Sequence, residues 1–271
     1  MNITDLDDKI IIRSRRNHLF KQYSTSAQDV AQVTKDINAA FEASLNSQSN
    51  KVAKAESTYN ESVEKKEKYA EENKVAWVEE QAKLVLIQQE HKAYLDSVQS
   101  LSSQPPSSQI SSYLSLGKGP LSEWLDAAHG HEVTDHSIFK AHASYYEKEF
   151  LEDMRALGVR DSDALTRVTE YVQHIKDYVK KILDNGFGYV VDGSVYFDTA
   201  AFQAKGFAYA KLSPWSVGNT QLSASGEGSL SDSLGRKSGM DFALWKKSKP
   251  GEPAWDSEWG QGRPGWHIEV R

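Results

Sequence analysis

Apolar residues recur at helical spacing along most of the chain, and only the last third breaks that rhythm. Leu6, Ile10, Leu19, Phe20 and Tyr23 predict a first helix, with Asp5 as its cap and Asp7 and Asp8 in its first turn. The triplet Ile10-Ile11-Ile12 also suits a buried strand, but the wider spacing favours a helix. After a break at Ser24-Thr25-Ser26, Val30, Val33, Ile37, Ala40 and Phe41 predict a second helix over 27–45, followed by a polar turn at Ser47 to Asn50. A stretch free of glycine and proline runs from Lys51 to about Val98, with Val52, Ala55, Tyr59, Val63, Ala70, Trp77, Leu84, Ile87 and Tyr94 at heptad-like spacing. Two such helices predict an antiparallel hairpin whose seam is weak, being small and aromatic rather than leucine-rich. The pattern predicts an arm that projects from the body instead of building its core.

Gln99 to Gly119 is serine-rich, with Pro105-Pro106 and a Gly117-Lys118-Gly119-Pro120 turn, and reads as a linker. A short helix is predicted from Leu121 to Ala128. Phe139, Ala143, Tyr146, Phe150, Met154 and Leu157 form the predicted core face of a helix over Ile138 to Leu157, stopped by Gly158. Ser162 would cap another helix, Asp163 to Asn185. Then the period changes to two. Phe187 to Val191 and Ser194 to Asp198 flank Asp192-Gly193, the strongest short hairpin signal a sequence offers. Phe242 to Lys246 predicts a third strand that pairs with the hairpin, after a polar Ser/Gly loop from Gly218 to Ser238. From Gly239 onward Trp245, Trp255, Trp259 and Trp266 alternate with Pro and Gly, which bars a long helix and predicts a shaped loop system.

Composition sharpens this picture in three ways. Hydrophobic residues make up 39% of the chain, below the usual ~45–50%, and the charged arm accounts for the deficit. A net charge of −6 rules out a global basic field, so nucleic-acid contact would need a local patch. The absence of cysteine excludes a disulfide framework, a thiolate nucleophile and thiolate-ligated zinc within these residues. No apolar run approaches the ~20 residues that span a bilayer, and no secretory signal is visible, so a cytoplasmic protein without membrane partners is expected.

Candidate chemistry is sparse. Gly117-Lys118-Gly119 lacks the spacing of a phosphate loop. His129 and His131, even with His136 and His142, read as turn histidines rather than metal ligands. Arg13, Arg15, Arg16, Lys180 and Lys181 are candidates for phosphate contact, and surface solvation accounts for them equally well.

Two separated stretches carry a resemblance. Asp241 to Lys246, Lys249-Pro250-Gly251-Glu252-Pro253 and Gly262-Arg263-Pro264-Gly265-Trp266-His267-Ile268-Glu269 resemble one signature of the cysteinyl-tRNA synthetases, and Asn2 to Ile11 resembles a second, upstream one. The hairpin Tyr189 to Asp198 and Leu165-Thr166-Arg167-Val168 also fit. Ser122 to Asp126 and Val133 to Phe139 are similar to the eukaryotic cytosolic branch, which carries a helical insertion at the position of the Lys51–Val98 arm. The resemblance implies an α+β, mostly helical chain: the end of a class I nucleotide-fold half (1–23), a helical-hairpin insertion (24–100), a linker (101–120), a connective domain of helices and a small antiparallel sheet (121–262), and a return toward the nucleotide fold (263–271).

The resemblance further implies a ligase that activates cysteine with ATP and magnesium, charges tRNA(Cys), and selects cysteine by binding its thiolate to zinc. Thr4 and Trp266 match residues of the amino-acid pocket, with His267 beside them, so the two ends of the chain are expected to lie close together, Trp266 facing Thr4. The basic candidates would then face tRNA. The family's HIGH motif, zinc cysteines, KMSKS loop and anticodon-binding domain have no counterpart here, and Val270 stands where the family has a cysteine. The expectation is a fragment, inactive alone, with no catalytic residue and no metal ligand of its own. The alternative is a stand-alone interaction module whose charged arm binds a second copy or another protein.

Overall fold

The computed structural model describes residues 1–67, 70–211, 230 and 235–269. The expected zinc-position substitution at Val270 and most of the expected Ser/Gly loop lie outside them. The chain divides into two compact units, Arg16–Gly130 and Met1–Arg15 with His131–Arg271.

The first unit is helical. Helix α1 (Asp8–Ser26), whose residues up to Arg15 belong to the second unit, is capped by Asp7, whose carboxylate accepts the Ile10 N–H at 2.6 Å. The expected cap, Asp5, is used elsewhere: it accepts the backbone N–H and the hydroxyl of Thr169. Helix α2 (Val30–Glu64) runs without interruption through Ser47 to Asn50, where a turn was expected. Buried Gln48 explains the continuity, because its amide donates to the Glu80 carbonyl at 2.9 Å and to the Glu80 carboxylate at 2.6 Å. The break falls instead after Glu64, inside the stretch predicted to be one helix. There Lys66 takes φ +53°, and the Lys66 and Glu67 N–H groups bond back to Val63 and Ser62 in a Schellman closure.

Helix α3 (Ala70–Ser100) returns antiparallel. Phe41 stacks on His91, Gln48 meets Glu80 and Tyr59 stacks on Trp77, so the pairing closes toward the turn from both sides. The predicted linker is not one. Pro106 to His129 is a single helix, α4, that packs on both α2 and α3. Gly117 lies so close to α2 that a Cβ on it would stand 2.6 Å from Ile37 Cγ2. That glycine serves close packing rather than a turn. Val33, Ile37, Phe41, Tyr94, Tyr113, Leu114 and Leu121 fill the shared interior, so the hairpin contributes to a core of its own and is not a bare arm.

In the second unit, β1 (Asn2–Ile3) pairs in parallel with β2 (Thr166–Arg167). This pairing replaces the first turns of the predicted 163–185 helix. A 3-10 turn over Val168–Glu170 follows, and the helix proper, α6, is Val172–Asp184. Helix α5 (His136–Ala156) is capped by Asp135 and ends at Gly158, φ +77°. Of its predicted core face Phe139 is buried, whereas Tyr146, Phe150 and Leu157 are exposed. The hairpin β3 (Gly188–Val191) and β4 (Ser194–Phe197) forms about Asp192 and Gly193, both at positive φ as a type I′ turn requires. After the short helix α7 (Thr199–Ala204), β5 (Phe242–Lys247) pairs with β4 as predicted. A further strand, β6 (Gly262–Pro264), completes a four-stranded antiparallel sheet in the order β3-β4-β5-β6. The tryptophan-rich segment thus contains a strand, not loops alone. The helical turn α8 (Trp266–Glu269) follows it.

Candidate functional site

The segment from Gly239 onward is built around β5, which is buried along almost its whole length. Trp245 is fully buried and joins Val172, Val179, Val195, Phe242, Leu244 and Ile268 in the core. Trp259 meets its ring edge-on at 5.9 Å, and Trp255 packs against the same core and against His136 at 5.4 Å. Three of the four tryptophans are therefore scaffold. The chain leaving β6 comes so close that a Cβ on Gly265 would overlap the Ala243 carbonyl oxygen. The Gly265 N–H donates to the Leu244 carbonyl at 2.9 Å, which fixes where α8 starts.

A buried charge cluster ties this segment to the other end of the chain. Arg263, only 2% exposed, donates from Nη2 to Asp8 Oδ1 at 2.8 Å and from Nε to Glu252 Oε2 at 2.9 Å. Lys246 Nζ lies 3.5 Å from the same Asp8 oxygen, and the Leu230 N–H donates to the other. Burial by itself would raise the Asp8 pKa; the charges of Arg263 and Lys246, with the two hydrogen bonds, outweigh it and hold the carboxyl below its ordinary range. Buried Arg15 adds a bond from Nη1 to the Gly251 carbonyl at 3.1 Å. The stretch after Thr4 and the stretch before Trp266 are thus locked together through Asp8 and Arg263. In the sequence Asp8 is a first-turn charge and Arg263 part of a signature. That they neutralise each other is a tertiary fact, signalled only by a charged residue between glycine and proline.

The expected pocket residues flank this clamp in sequence. Thr4 is half-buried in the loop between β1 and α1. Trp266 opens α8 with 44% of its surface exposed. His267 is half-buried, 4.6 Å from the Phe242 ring and 5.2 Å from the Trp266 ring. A second buried carboxylate, Asp241, supports the opposite end of β5: it accepts the Thr199 N–H and hydroxyl, the Tyr189 hydroxyl and the Ser238 N–H.

The basic candidates fare differently from one another. Arg13 is exposed and near enough to His142 that, after burial, its charge is the second cause of that histidine's lowered pKa. Arg15 is consumed inside the fold. Arg16 pairs with Glu123 at 2.7 Å and Lys180 with Glu258 at 2.8 Å. Lys181 is exposed. His136 accepts the Ala254 N–H at 3.3 Å, and His131 lies 3.9 Å from Glu132. The zinc implied by the resemblance finds no fitting ligand set in these residues, since the sequence has no cysteine and the described residues contain no group of three or more His, Asp or Glu placed to hold a metal. Among the described residues no helix is long and apolar enough to cross a membrane.

Comparison with known proteins gives consistent matches. The sequence model described as tRNA synthetases class I (C) catalytic domain matches residues 1–271. The chain is similar to proteins named cytoplasmic cysteine–tRNA ligase: 45% identical over 278 residues to that of Macaca fascicularis and 44% over 284 residues to that of Homo sapiens. A third, from Gallus gallus, is 44% identical over 279 residues. Each match covers 99% of this chain and 34% of the relative, so the chain spans about a third of the length of the curated relatives it matches.

Proposed function

Because the chain belongs to the tRNA synthetases class I (C) catalytic domain family, we propose that it forms part of a cysteine–tRNA ligase. The whole enzyme uses ATP and magnesium to activate cysteine and then charges tRNA(Cys). Its zinc ligands come from outside these residues, and the 271 residues by themselves do not carry out the reaction. Within the enzyme, Thr4 offers a hydroxyl to the amino-acid pocket and Trp266 a ring wall, with His267 adjoining.

One observation carries this reading more than any other. Asp8 and Arg263 form a 2.8 Å buried pair between the two stretches that resemble the family's pocket signatures. The pair ties together the two stretches from which Thr4 and Trp266 come, and the Trp266 ring, 44% exposed, has surface available to a small substrate. For tRNA, Arg13 and Lys181 are the basic candidates not drawn into the ion pairs and buried bonds described above. If they meet phosphates, neutralising either lowers the slope of log affinity against log salt by about one.

The test is a chimera in which residues 1–269 replace the matching part of the Gallus gallus relative, so that the relative keeps its own cysteine at the position of Val270. The chimera is expected to catalyse cysteine-dependent ATP–pyrophosphate exchange, and Trp266→Ala within it to raise KM for cysteine while leaving KM for ATP unchanged. Exchange by the 271-residue chain alone, or an unchanged cysteine KM in Trp266→Ala, would refute the reading.

A further inference from the structure

Helix α3 carries two apolar stripes, and its packing within the helical unit uses one of them. The inner stripe is Asn73, Trp77, Glu80, Leu84, Ile87, His91 and Tyr94, stepping alternately by four and three; each residue is buried or half-buried. On the far side, Val75, Val78, Ala82 and Val85 repeat the same stepping, with Leu86 beside the last. These face water: Val75 is 57% exposed, Val78 51%, Val85 49% and Leu86 54%. Positions two residues apart on a helix lie about 200° around its axis, so the outer stripe points directly away from the inner one. Scattered exposed valines need no explanation, whereas these four stand in heptad register over about three turns, the spacing of a short coiled-coil seam.

We propose that the outer stripe of α3 pairs with the same stripe on a second copy of the chain, the two helices running parallel. The flanking charges select both partner and direction. With Val75 and Ala82 as the first and Val78 and Val85 as the fourth positions of the heptad, Lys74 and Glu79 occupy the two flanks of the seam. In a parallel pair, a residue on the first flank faces the one five positions later on the other helix. Lys74 then faces Glu79 of the second copy, and the two-fold axis makes that pair twice. An antiparallel pair that keeps the valines together instead sets Glu79 against Glu79 of the second copy and leaves Lys74 opposite Gln88. Within its own chain Lys74 pairs with exposed Glu71 at 4.0 Å, a contact weak enough to yield. Leu86, on the same flank as Glu79, extends the apolar cover at the far end of the seam.

The chain contains no cysteine, so single introduced thiols report without background. Val75→Cys and Val85→Cys, each in the full 271-residue chain, are oxidised and followed on non-reducing gels, with Lys83→Cys outside the stripe as control. Both stripe variants are expected to form linked dimers at least tenfold faster than the control. Adding Lys74→Glu to Val75→Cys should slow linkage at least fivefold, and adding Glu79→Lys as well should restore it. Linkage no faster than the control, linkage at one stripe position only, or a charge swap that fails to restore it overturns the proposal. Sedimentation equilibrium of the unmodified chain gives a variant-free check. A dimer that dissociates on dilution supports the pairing, and a monomer at every concentration refutes it.

Discussion

Replacing Arg263 by methionine is expected to destabilise the unit containing the sheet severely, and the buried cluster fixes how severely. The substitution roughly keeps the side chain's reach while deleting its charge. It leaves Asp8 and Glu252, 5% and 7% exposed, without the guanidinium that bridges them. Breaking a buried pair by removing one partner costs about 3–5 kcal/mol. Lys246, 3.5 Å from Asp8, still compensates one carboxylate, which places the expected loss toward the lower end of that range. For a domain of ordinary size this corresponds to a melting temperature lower by roughly 6–20 °C. Urea unfolding followed by tryptophan fluorescence reads it, because Trp245, Trp255 and Trp259 all lie in the affected core. Removing the stranded carboxylates as well, with Asp8→Asn and Glu252→Met, should recover much of the loss, since the cost lies in uncompensated burial. The pH dependence has a definite sign. Asp8's folded pKa is depressed below its ordinary 3.8, so its contribution is fully present above that pH and is lost as pH falls through the folded value. The gap between wild type and variant should therefore narrow in acid. A loss under about 1 kcal/mol, or a triple variant as unstable as Arg263→Met alone, would refute the reasoning.

Three further outcomes follow from the geometry. Lys66→Gly is expected to stabilise the helical unit by about 1 kcal/mol, because a non-glycine residue at φ +53° closes α2; the urea midpoint reads it. Gly117→Ala should cost about 1–3 kcal/mol by forcing Ile37 and α4 apart, measured as lost helical ellipticity on heating. His142 has its pKa lowered by burial first and by the Arg13 charge second. Its neutral form is the one the fold accepts, so stability should decline as pH falls through 6.5 and level off below the depressed folded value. His142→Gln should flatten that decline in urea midpoints taken from about pH 7.5 to pH 5.

The hairpin at Asp192-Gly193, strand β5 and the stop at Gly158 were legible because each depends on local chemistry: a turn type, a period of two, a glycine past a helix end. The errors share one cause, tertiary partners that overrule local signals. The break after Glu64 was hidden because lysine, not glycine, occupies the left-handed position. Ser47 to Asn50 looked like a turn because nothing local shows that Gln48 will bond across to Glu80. Gly117 and Pro120 suggested a linker, yet the glycine is there to admit Ile37. Residues 163–171 had helical spacing but were captured by β1 and Asp5, more than a hundred and fifty positions away in sequence. At the site, Thr4 and Trp266 were found through resemblance alone. The clamp that holds their stretches together could not be read from either segment separately.

Whether this chain supplies Trp266 to the amino-acid pocket of a cysteine–tRNA ligase is tested most directly by cysteine-dependent ATP–pyrophosphate exchange in the Gallus gallus chimera with and without Trp266→Ala. A KM for cysteine raised about tenfold, equivalent to ~1.4 kcal/mol of lost binding, with KM for ATP unchanged, is the predicted result. Equal cysteine KM values for the two proteins would contradict it.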